Sequence, residues 1–115
     1  MDFLNLLKSK DFVAEWEVLT HRIWKDGFYY KIRIHFLDSS NFQATEYNSE
    51  TERNYSFHWQ SAEEKLIIRW DNAPHHKSLE NFPHHKHTLD CVESCEETTF
   101  ESALEEIEKV LKNGE

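Results

Sequence analysis

The stretch FYYKIRIHF, Phe28 to Phe36, carries the strongest structural signal in the chain. Large apolar residues occupy every second position from Phe28 to Phe36, and mainly polar residues lie between them. Alternation with a period of two residues is typical of a β-strand that buries one face. The stretch therefore predicts a half-buried strand in a sheet.

A second alternating stretch, Trp16 to Trp24, precedes this strand and predicts a β-hairpin with it. The connecting loop is expected to contain three residues, Lys25–Gly27, with Gly27 in the left-handed bulge position. This loop pairs apolar residues across the hairpin: Trp24 with Phe28, Val18 with Ile34 and Trp16 with Phe36. It also sets Glu17 across from His35. A two-residue Asp-Gly turn fits less well, because it places like charges opposite each other.

A second hairpin is predicted from Tyr55 to Asp71, with a four-residue turn at Ser61–Glu64. The expected register builds one apolar face: Trp59 opposite Leu66, Phe57 opposite Ile68 and Tyr55 opposite Trp70. On the other face, His58 lies diagonal to Arg69. Residues 42–47 predict a further strand, whose facing the pattern leaves open.

Helices are predicted at both ends of the chain. Residues 2–8 can form two turns with Phe3, Leu6 and Leu7 inward. At the other end, Thr98 and Glu101 form a capping box before an apolar stripe, and Asn113-Gly114 is a stop signal; the stripe consists of Phe100, Leu104, Ile107 and Leu111. The predicted fold is one α+β domain over residues 1–115. Its antiparallel sheet has about five strands in meander order, with a short N-terminal and a C-terminal helix packed on one face.

The composition narrows the class of protein. The 115 residues contain no apolar run of about 18, so no membrane span is expected. The start MDFLNLLKSKDF lacks the basic region of a secretory signal, and two cysteines are too few for a disulfide framework. We therefore expect a cytoplasmic protein with free thiols. Two glycines are too few for a glycine-rich phosphate loop.

Negative charge is concentrated near the C-terminus. The chain carries a net charge of −9, but from Glu93 onward eight acids face only two lysines. The first 92 residues carry 14 acids, 11 bases and all eight histidines. The overall charge therefore does not exclude an anionic partner such as RNA.

The segment RWDNAPHHKSLENFPHHKH, Arg69 to His87, contains five of the eight histidines and both prolines. It begins where the last predicted strand ends, which is a common place for functional residues. His85-x-His87 in extended chain would point two rings to one side, and Asp71 could add an oxygen ligand. The spacing to Cys91 and Cys95 matches no usual zinc pattern. No cofactor is therefore predicted, and a divalent metal stays an alternative.

Acid–base cleavage of RNA is the second interpretation of this segment. It needs a base, an acid and a cation for the phosphorane charge. The candidate proton carriers are His58, His75, His84, His85 and His87, and the candidate cations are Arg69, Lys77 and Lys86. The structural alternative is a rigid brace, in which Pro74 and Pro83 fix the chain and Trp70 and Phe82 pin its ends. Asp71 or Asn72 would then form an Asx turn.

Several segments together resemble the TumE family of toxins from bacterial and archaeal toxin–antitoxin pairs. They are YSFHWQ (Tyr55–Gln60), RWDNAPHH (Arg69–His76), FPHHKH (Phe82–His87) and the closing helix. The positions that match the family's pattern are Tyr55, His58, Trp59, Arg69, Trp70, Asp71, Asn72, Pro74, His75, His76, Pro83, His84, His85 and His87. The resemblance implies a cognate antitoxin protein that binds the toxin and holds it inactive. RNA as the target rests on analogy with toxins in general.

The leading interpretation is a toxin-like, metal-independent ribonuclease. Its candidate catalytic residues are His58, Arg69, Asp71, Asn72, His75, His76, His84, His85 and His87. His58 and loop histidines would transfer protons, and Arg69 would hold the phosphate, while Asp71 and Asn72 would orient the loop. The alternatives are a non-enzymatic protein that binds a partner through a sheet edge or its histidine face, and a metal-binding regulator.

Overall fold

The computed structural model describes residues 3–73 and 83–113. They form one seven-stranded antiparallel sheet whose strands follow chain order from edge to edge. The strands are β1 (Val13–Trp24), β2 (Gly27–Phe36), β3 (Asn41–Asn48), β4 (Arg53–Gln60), β5 (Leu66–Asp71), β6 (His85–Thr88) and β7 (Val92–Ser94). Helix α1 (Phe3–Lys8) precedes the sheet and helix α2 (Phe100–Asn113) follows it. The predicted α+β meander is confirmed, with seven strands where about five were expected.

The two additional strands lie at and beyond the end of the histidine-rich segment Arg69–His87. Strand β6 reads HKHT and pairs with β5, and the three-residue β7 pairs with β6. Neither strand has an apolar face of its own, so hydrophobic periodicity could not reveal them. Their stability comes from the β5 edge, which offers unpaired backbone groups to the returning chain.

The predicted register of the first hairpin is wrong. Trp24 pairs with Gly27, so the loop contains only Lys25 and Asp26. Gly27 is required for close packing, because a Cβ atom there would collide with the carbonyl oxygen of Asn48. The left-handed conformation expected for Gly27 is not observed.

A β-bulge explains the error. The register shifts between Val18 and Thr20, and beyond the shift Trp16 pairs with Ile34. One extra residue turns the following side chains to the other face. Trp24 therefore does not share a face with Trp16, and its ring lies 5.7 Å from the ring of Tyr47.

The shift also changes the polar pairs of this hairpin. Glu17 lies across from Arg33, at 3.3 Å, and not across from His35.

The second hairpin is displaced by two residues from the predicted register. Its loop contains five residues, 61–65, and Glu64 adopts a positive φ of 64° within it. A shift of two residues leaves every side chain on its predicted face, because the side-chain period of a strand is two. Phe57 therefore pairs with Trp70, and His58 lies directly opposite Arg69 instead of diagonal to it.

The hydrophobic core lies between one face of the sheet and the helices. Leu7 of α1 and four residues of α2 pack with aromatic and branched residues of β2 to β5. Its largest fully buried side chains are Leu7, Tyr30, Ile32, Ile34, Phe42, Phe57, Trp59, Trp70, Phe100, Leu104 and Ile107. The predicted inward facing of Leu6 and Leu7 is confirmed, whereas the side chain of Phe3 lies outside the described part.

The capping box of α2 forms one residue later than predicted. Thr99 and Ser102 exchange bonds, in which Ser102 N donates to Thr99 Oγ1 at 3.0 Å and Thr99 N donates to Ser102 Oγ at 2.9 Å. Thr98 has another role, because its N–H donates to Tyr55 Oη and its carbonyl accepts from Arg53. Neither helix of the described chain is long and apolar enough to cross a membrane.

Candidate active site on the open face of the sheet

We call the side of the sheet that neither described helix covers the open face. Because opposite residues of an antiparallel pair point to the same side, the register groups the open-face residues of β4, β5 and β6 in two rows. One row contains Ser56, Asp71 and His85, and the next contains His58, Arg69 and His87. Two of these residues come from β4, two from β5 and two from β6.

Asp71 is the centre of this group. Its side chain is buried, and its Oδ1 accepts from His85 Nε2 at 2.7 Å and from the N–H of Ala73 at 3.0 Å. The bond to Ala73 is the predicted Asx turn at the end of the strand. Its Oδ2 lies 3.1 Å from Arg69 Nε and 3.6 Å from His87 Nε2. A carboxylate without cationic or donating partners could not be buried here, so these contacts hold it in place.

His85 is held at both ring nitrogens. Nε2 faces the Asp71 carboxylate, and Nδ1 lies 2.9 Å from the carbonyl oxygen of Pro83. Contacts at both nitrogens fix the orientation of the imidazole ring. Since His85 is buried, this ring is a fixed part of the site and not its contact surface.

Three side chains make the accessible part of the site. Arg69 is exposed, and His58 and His87 are partly exposed. The His87 ring lies 4.7 Å from the His85 ring in an edge-to-face arrangement. The sequence predicted that His85 and His87 point to one side of an extended chain, and this is confirmed.

His58 has a different environment from the pair on β6. Its Nε2 lies 3.1 Å from Gln60 Oε1, two residues along the same strand face. Burial lowers the pKa of His58 below its ordinary value of 6.5, and the Arg69 guanidinium lowers it further, although the Gln60 bond acts in the opposite direction. His58 is therefore neutral near pH 7 and able to accept a proton.

The other predicted site residues lie elsewhere. Asn72 holds β4, since its Oδ1 accepts from Tyr55 N at 2.9 Å and its Nδ2 donates to Arg53 O. His84 lies on the helix side of the sheet, where its Nδ1 is 2.9 Å from Tyr55 Oη. His75 and His76 lie outside the described residues, as do Lys77 and Phe82.

Two contacts of the candidate site were not predicted from the sequence. The contact between Gln60 and His58 could have been predicted, because the two residues are two positions apart and therefore lie on the same face of β4. The contact between the Pro83 carbonyl and His85 could not have been predicted, because a backbone contact of this kind depends on the path of the loop.

Asp71, His85 and His87 could also hold a metal ion. One ligand atom from each lies within 4.8 Å of the others. The bond from His85 Nδ1 to Pro83 O resembles the outer contact that orients metal-binding histidines. Two imidazoles and a carboxylate suit zinc and related metals. The Arg69 guanidinium acts against a cation here, because it already occupies one side of the Asp71 carboxylate.

Cys91 and Cys95 do not join this group. They flank β7, and both are free, as the sequence predicted. Cys95 is partly buried, and its burial raises the pKa of the thiol.

The charge of the open face differs from that of the chain as a whole. On β1 to β6 its basic or protonatable side chains are Arg22, Lys31, Arg33, His35, His58, Arg69, His85 and His87. Its acids on the same strands are Glu15, Glu17 and Asp71, and of these Glu17 and Asp71 are in ion pairs. The excess acid of the chain is concentrated on and around α2, on the other side of the sheet. The open face is thus compatible with an anionic ligand.

These features define a small α+β protein with a histidine–carboxylate site on one sheet face. A family model described as Toxin TumE matches residues 3–113. The chain belongs to this family, as its sequence motifs indicated. Neither the curated proteins nor the solved structures contain a match to the chain.

Proposed function

We propose that this toxin-family protein cleaves RNA on the open face of the sheet by histidine acid–base chemistry, without a metal. The proposal rests on one observation above all: His58 and Arg69 lie directly opposite each other on accessible positions of one face. Arg69 in turn contacts the Asp71 carboxylate that lies beside His87. A neutral base, a cation and a second imidazole are therefore adjacent.

The roles follow from these environments. His58, whose lowered pKa keeps it neutral, takes the proton of a ribose 2′-hydroxyl. The 2′-oxygen then attacks the adjacent phosphorus, and Arg69 stabilises the charge on the phosphoryl oxygens. His87 protonates the departing 5′-oxygen, since the Asp71 carboxylate beside it stabilises positive charge on its ring. The products are a 2′,3′-cyclic phosphate and a 5′-hydroxyl, and the proton gained by His58 balances the proton lost by His87.

Asp71 and His85 act as positioning residues in this mechanism. Both are buried, so neither is the surface that meets the RNA. Together they fix the direction of His87 and Arg69, through contacts at 3.6 Å and 3.1 Å to the same carboxylate oxygen. Arg69 and His87 are accessible and are held by the buried Asp71 and His85. A preorganised site needs this kind of support from buried residues.

Growth arrest on expression in cells tests the assignment. The variants His58→Ala, Arg69→Ala and His87→Ala should each lose toxicity, whereas His35→Ala, a change of the same kind on the same face, should keep it. Circular dichroism establishes that each variant is folded. If the three site variants are folded and arrest growth like the parent, the assignment is wrong.

The family also implies an antitoxin as the protein partner. Co-expression of a small protein encoded beside this chain should suppress the growth arrest. The same protein should co-purify with the chain in a complex.

A metal-dependent activity is the second candidate, because Asp71, His85 and His87 offer three ligand atoms in one place. Protein purified without a histidine tag would then contain a stoichiometric metal, and a chelator would abolish activity. The metal-independent mechanism predicts neither result.

A further inference from the structure

An open pocket of about 400 Å³ lies on the open face beside the candidate site. Residues of four neighbouring strands contribute to its lining, among them Tyr29, Tyr47, Asn54, Ser56, Arg69 and Asp71. This volume falls within the range of about 300–1,000 Å³ that small-ligand sites occupy. Arg69 and Asp71 belong to both the pocket and the candidate site, so the two are continuous.

Aromatic residues form the end of the pocket that is farther from the site. Tyr29 pairs with Tyr47, and Tyr47 pairs with Asn54, so three side chains lie in one row across β2, β3 and β4. The Trp24 ring lies 5.7 Å from that of Tyr47 and supports it from the β1 side. Tyr29 and Tyr47 are only partly buried, unlike the core tyrosines Tyr30 and Tyr55. Their rings thus present aromatic surface to the pocket.

We propose that this pocket binds a base of single-stranded RNA by stacking on Tyr29 and Tyr47, an inference that rests on the proposed function. Stacking on aromatic side chains is the common way in which proteins hold unpaired bases, and it tolerates any base. Asn54 and Thr45, which also line the pocket, offer donors and acceptors to the edge of the base. A double helix does not expose its base faces, so the substrate class is single-stranded RNA.

The strand geometry relates this pocket to the site. The tyrosine row and the Asp71 row are two residues apart, or about 7 Å, and the His58–Arg69 row lies about 7 Å beyond that. A nucleotide whose base stacks on the tyrosines can extend its backbone toward the Arg69 guanidinium. The pocket therefore selects which phosphate reaches Arg69 and His58.

The test is the affinity of the intact protein for short labelled oligonucleotides, measured by fluorescence anisotropy. One probe is oligouridylate with 2′-O-methyl riboses, which cannot be cleaved because the 2′-hydroxyl is blocked. The second probe is an abasic ribose-phosphate oligomer of equal length. Tyr47→Leu removes the aromatic face but keeps an apolar side chain, and Tyr47→Phe keeps the ring. Tyr29→Leu repeats the test without changing the contact between Trp24 and Tyr47.

The proposal predicts that both leucine variants bind the methylated oligouridylate about tenfold more weakly, in line with the loss of one stacked base. Tyr47→Phe should bind it like the parent, and all the proteins should bind the abasic oligomer equally. Equal binding of oligouridylate by the phenylalanine and leucine variants overturns the proposal, and so does an equal loss for both probes. Thermal unfolding of each variant establishes that the comparison is between folded proteins.

Cleavage of ordinary RNA by the same preparations separates this proposal from the one on which it rests. If the parent cleaves RNA and the leucine variants bind like it, the base pocket is wrong and the proposed function stands. If the parent neither binds nor cleaves RNA, both proposals fail.

Discussion

Two carboxylates are buried on opposite sides of this sheet, Glu46 at 4% exposure and Asp71 at 3%, and their partners differ in kind. Glu46 lies on the helix side, where Tyr30 donates to it at 2.8 Å and Arg53 at 2.6 Å. Asp71 lies on the open face with two histidines and Arg69. Burial alone therefore does not distinguish the two carboxylates, whereas their partners do.

The partners of Glu46 hold one charge state. Burial, together with the nearby Glu46 charge, raises the pKa of Tyr30 far above its ordinary value, so the phenol stays neutral. Burial lowers the pKa of Arg53, but its bonds to Glu46 and Glu97 outweigh this effect and the net shift is upward. Arg53 also donates to the Thr98 carbonyl just before α2. This network ties the helix to the sheet, and the raised pKa values of Tyr30 and Arg53 keep the phenol neutral and the guanidinium charged.

The partners of Asp71 are two imidazoles and a guanidinium, and two of these three groups, Arg69 and His87, reach the surface. Glu46 thus belongs to a fixed brace on one face, whereas Asp71 belongs to the candidate site on the other.

The largest expected effect comes from removing the charge of each carboxylate in turn. Asp71→Asn should slow single-turnover RNA cleavage by about 10²–10³-fold, because Arg69 and His87 lose the group that holds them. Glu46→Gln makes the same chemical change on the other face and should leave the cleavage rate per folded molecule within about twofold of the parent. Equal losses in the two variants would show that the distinction between the two carboxylates is false.

The largest effect on stability is expected at Glu46. Glu46→Gln leaves the partly buried Arg53 guanidinium without its main counter-charge, and should lower the free energy of unfolding by about 3 kcal/mol. Urea unfolding followed by circular dichroism measures this loss. His87→Gln, at a partly exposed site residue, should cost less than about 1 kcal/mol. A larger loss for His87→Gln than for Glu46→Gln would contradict the comparison.

The pH dependence of cleavage should report His58. Burial first, and then Arg69, lower the pKa of His58 below 6.5, so the neutral base is present above that pH. The neutral form of His58 should therefore persist as the pH falls from about 7.5 to 6.5, and the rate of cleavage should decline for lack of a base only at lower pH. An acidic limb with its midpoint above pH 6.5 would exclude His58 as the base.

The same shift affects folding in a defined direction. A histidine with a lowered pKa in the folded state binds more protons when unfolded. Its contribution to stability is complete above 6.5 and declines as the pH falls through the folded pKa. In His58→Gln this part of the pH dependence should disappear from urea unfolding curves recorded at several pH values, whereas His35→Ala should leave it in place.

A small effect on stability, and none on cleavage, is expected at Tyr55, whose neighbours Asn54 and Ser56 lie on the open face but whose own side chain is in the core. Its hydroxyl accepts from Thr98 N and contacts His84 Nδ1 at 2.9 Å. Tyr55→Phe should cost about 1 kcal/mol in unfolding free energy, the usual value of one buried hydrogen bond, and should not change cleavage. A loss of cleavage in this variant would assign His84 to the active site after all.

The sequence predicted the part of the fold that depends on alternation. The strands around Phe28–Phe36 and Tyr55–Gln60, the apolar face and the stripe of α2 all follow from a period of two or of 3.6 residues. The register of the first hairpin could not be predicted in this way, because the bulge between Val18 and Thr20 interrupts the period of two residues. Strands β6 and β7 were missed because they are polar and depend on the β5 edge.

The candidate site was predictable in its residue types more than in its arrangement. The prediction that His58 and Arg69 lie on one face was correct although the predicted register was wrong by two residues. A shift of two residues leaves each side chain on the same face of the sheet. His84 and His85 lie on opposite sides of the sheet. Predicting this requires knowing where β6 begins, which the sequence did not reveal. The burial of Asp71 and His85 depends on contacts between distant segments and could not be inferred from local pattern.

Analysis of the reaction products decides whether the protein cleaves RNA by metal-independent acid–base chemistry: pure protein is incubated with end-labelled single-stranded RNA in excess chelator, and the new ends are identified. Catalysis by His58 and His87 predicts cleavage in chelator, with 2′,3′-cyclic phosphate and 5′-hydroxyl ends, and no cleavage at a 2′-O-methylated position. An RNA that stays intact would contradict this mechanism. Cleavage that requires added metal and leaves 5′-phosphate ends would contradict it as well.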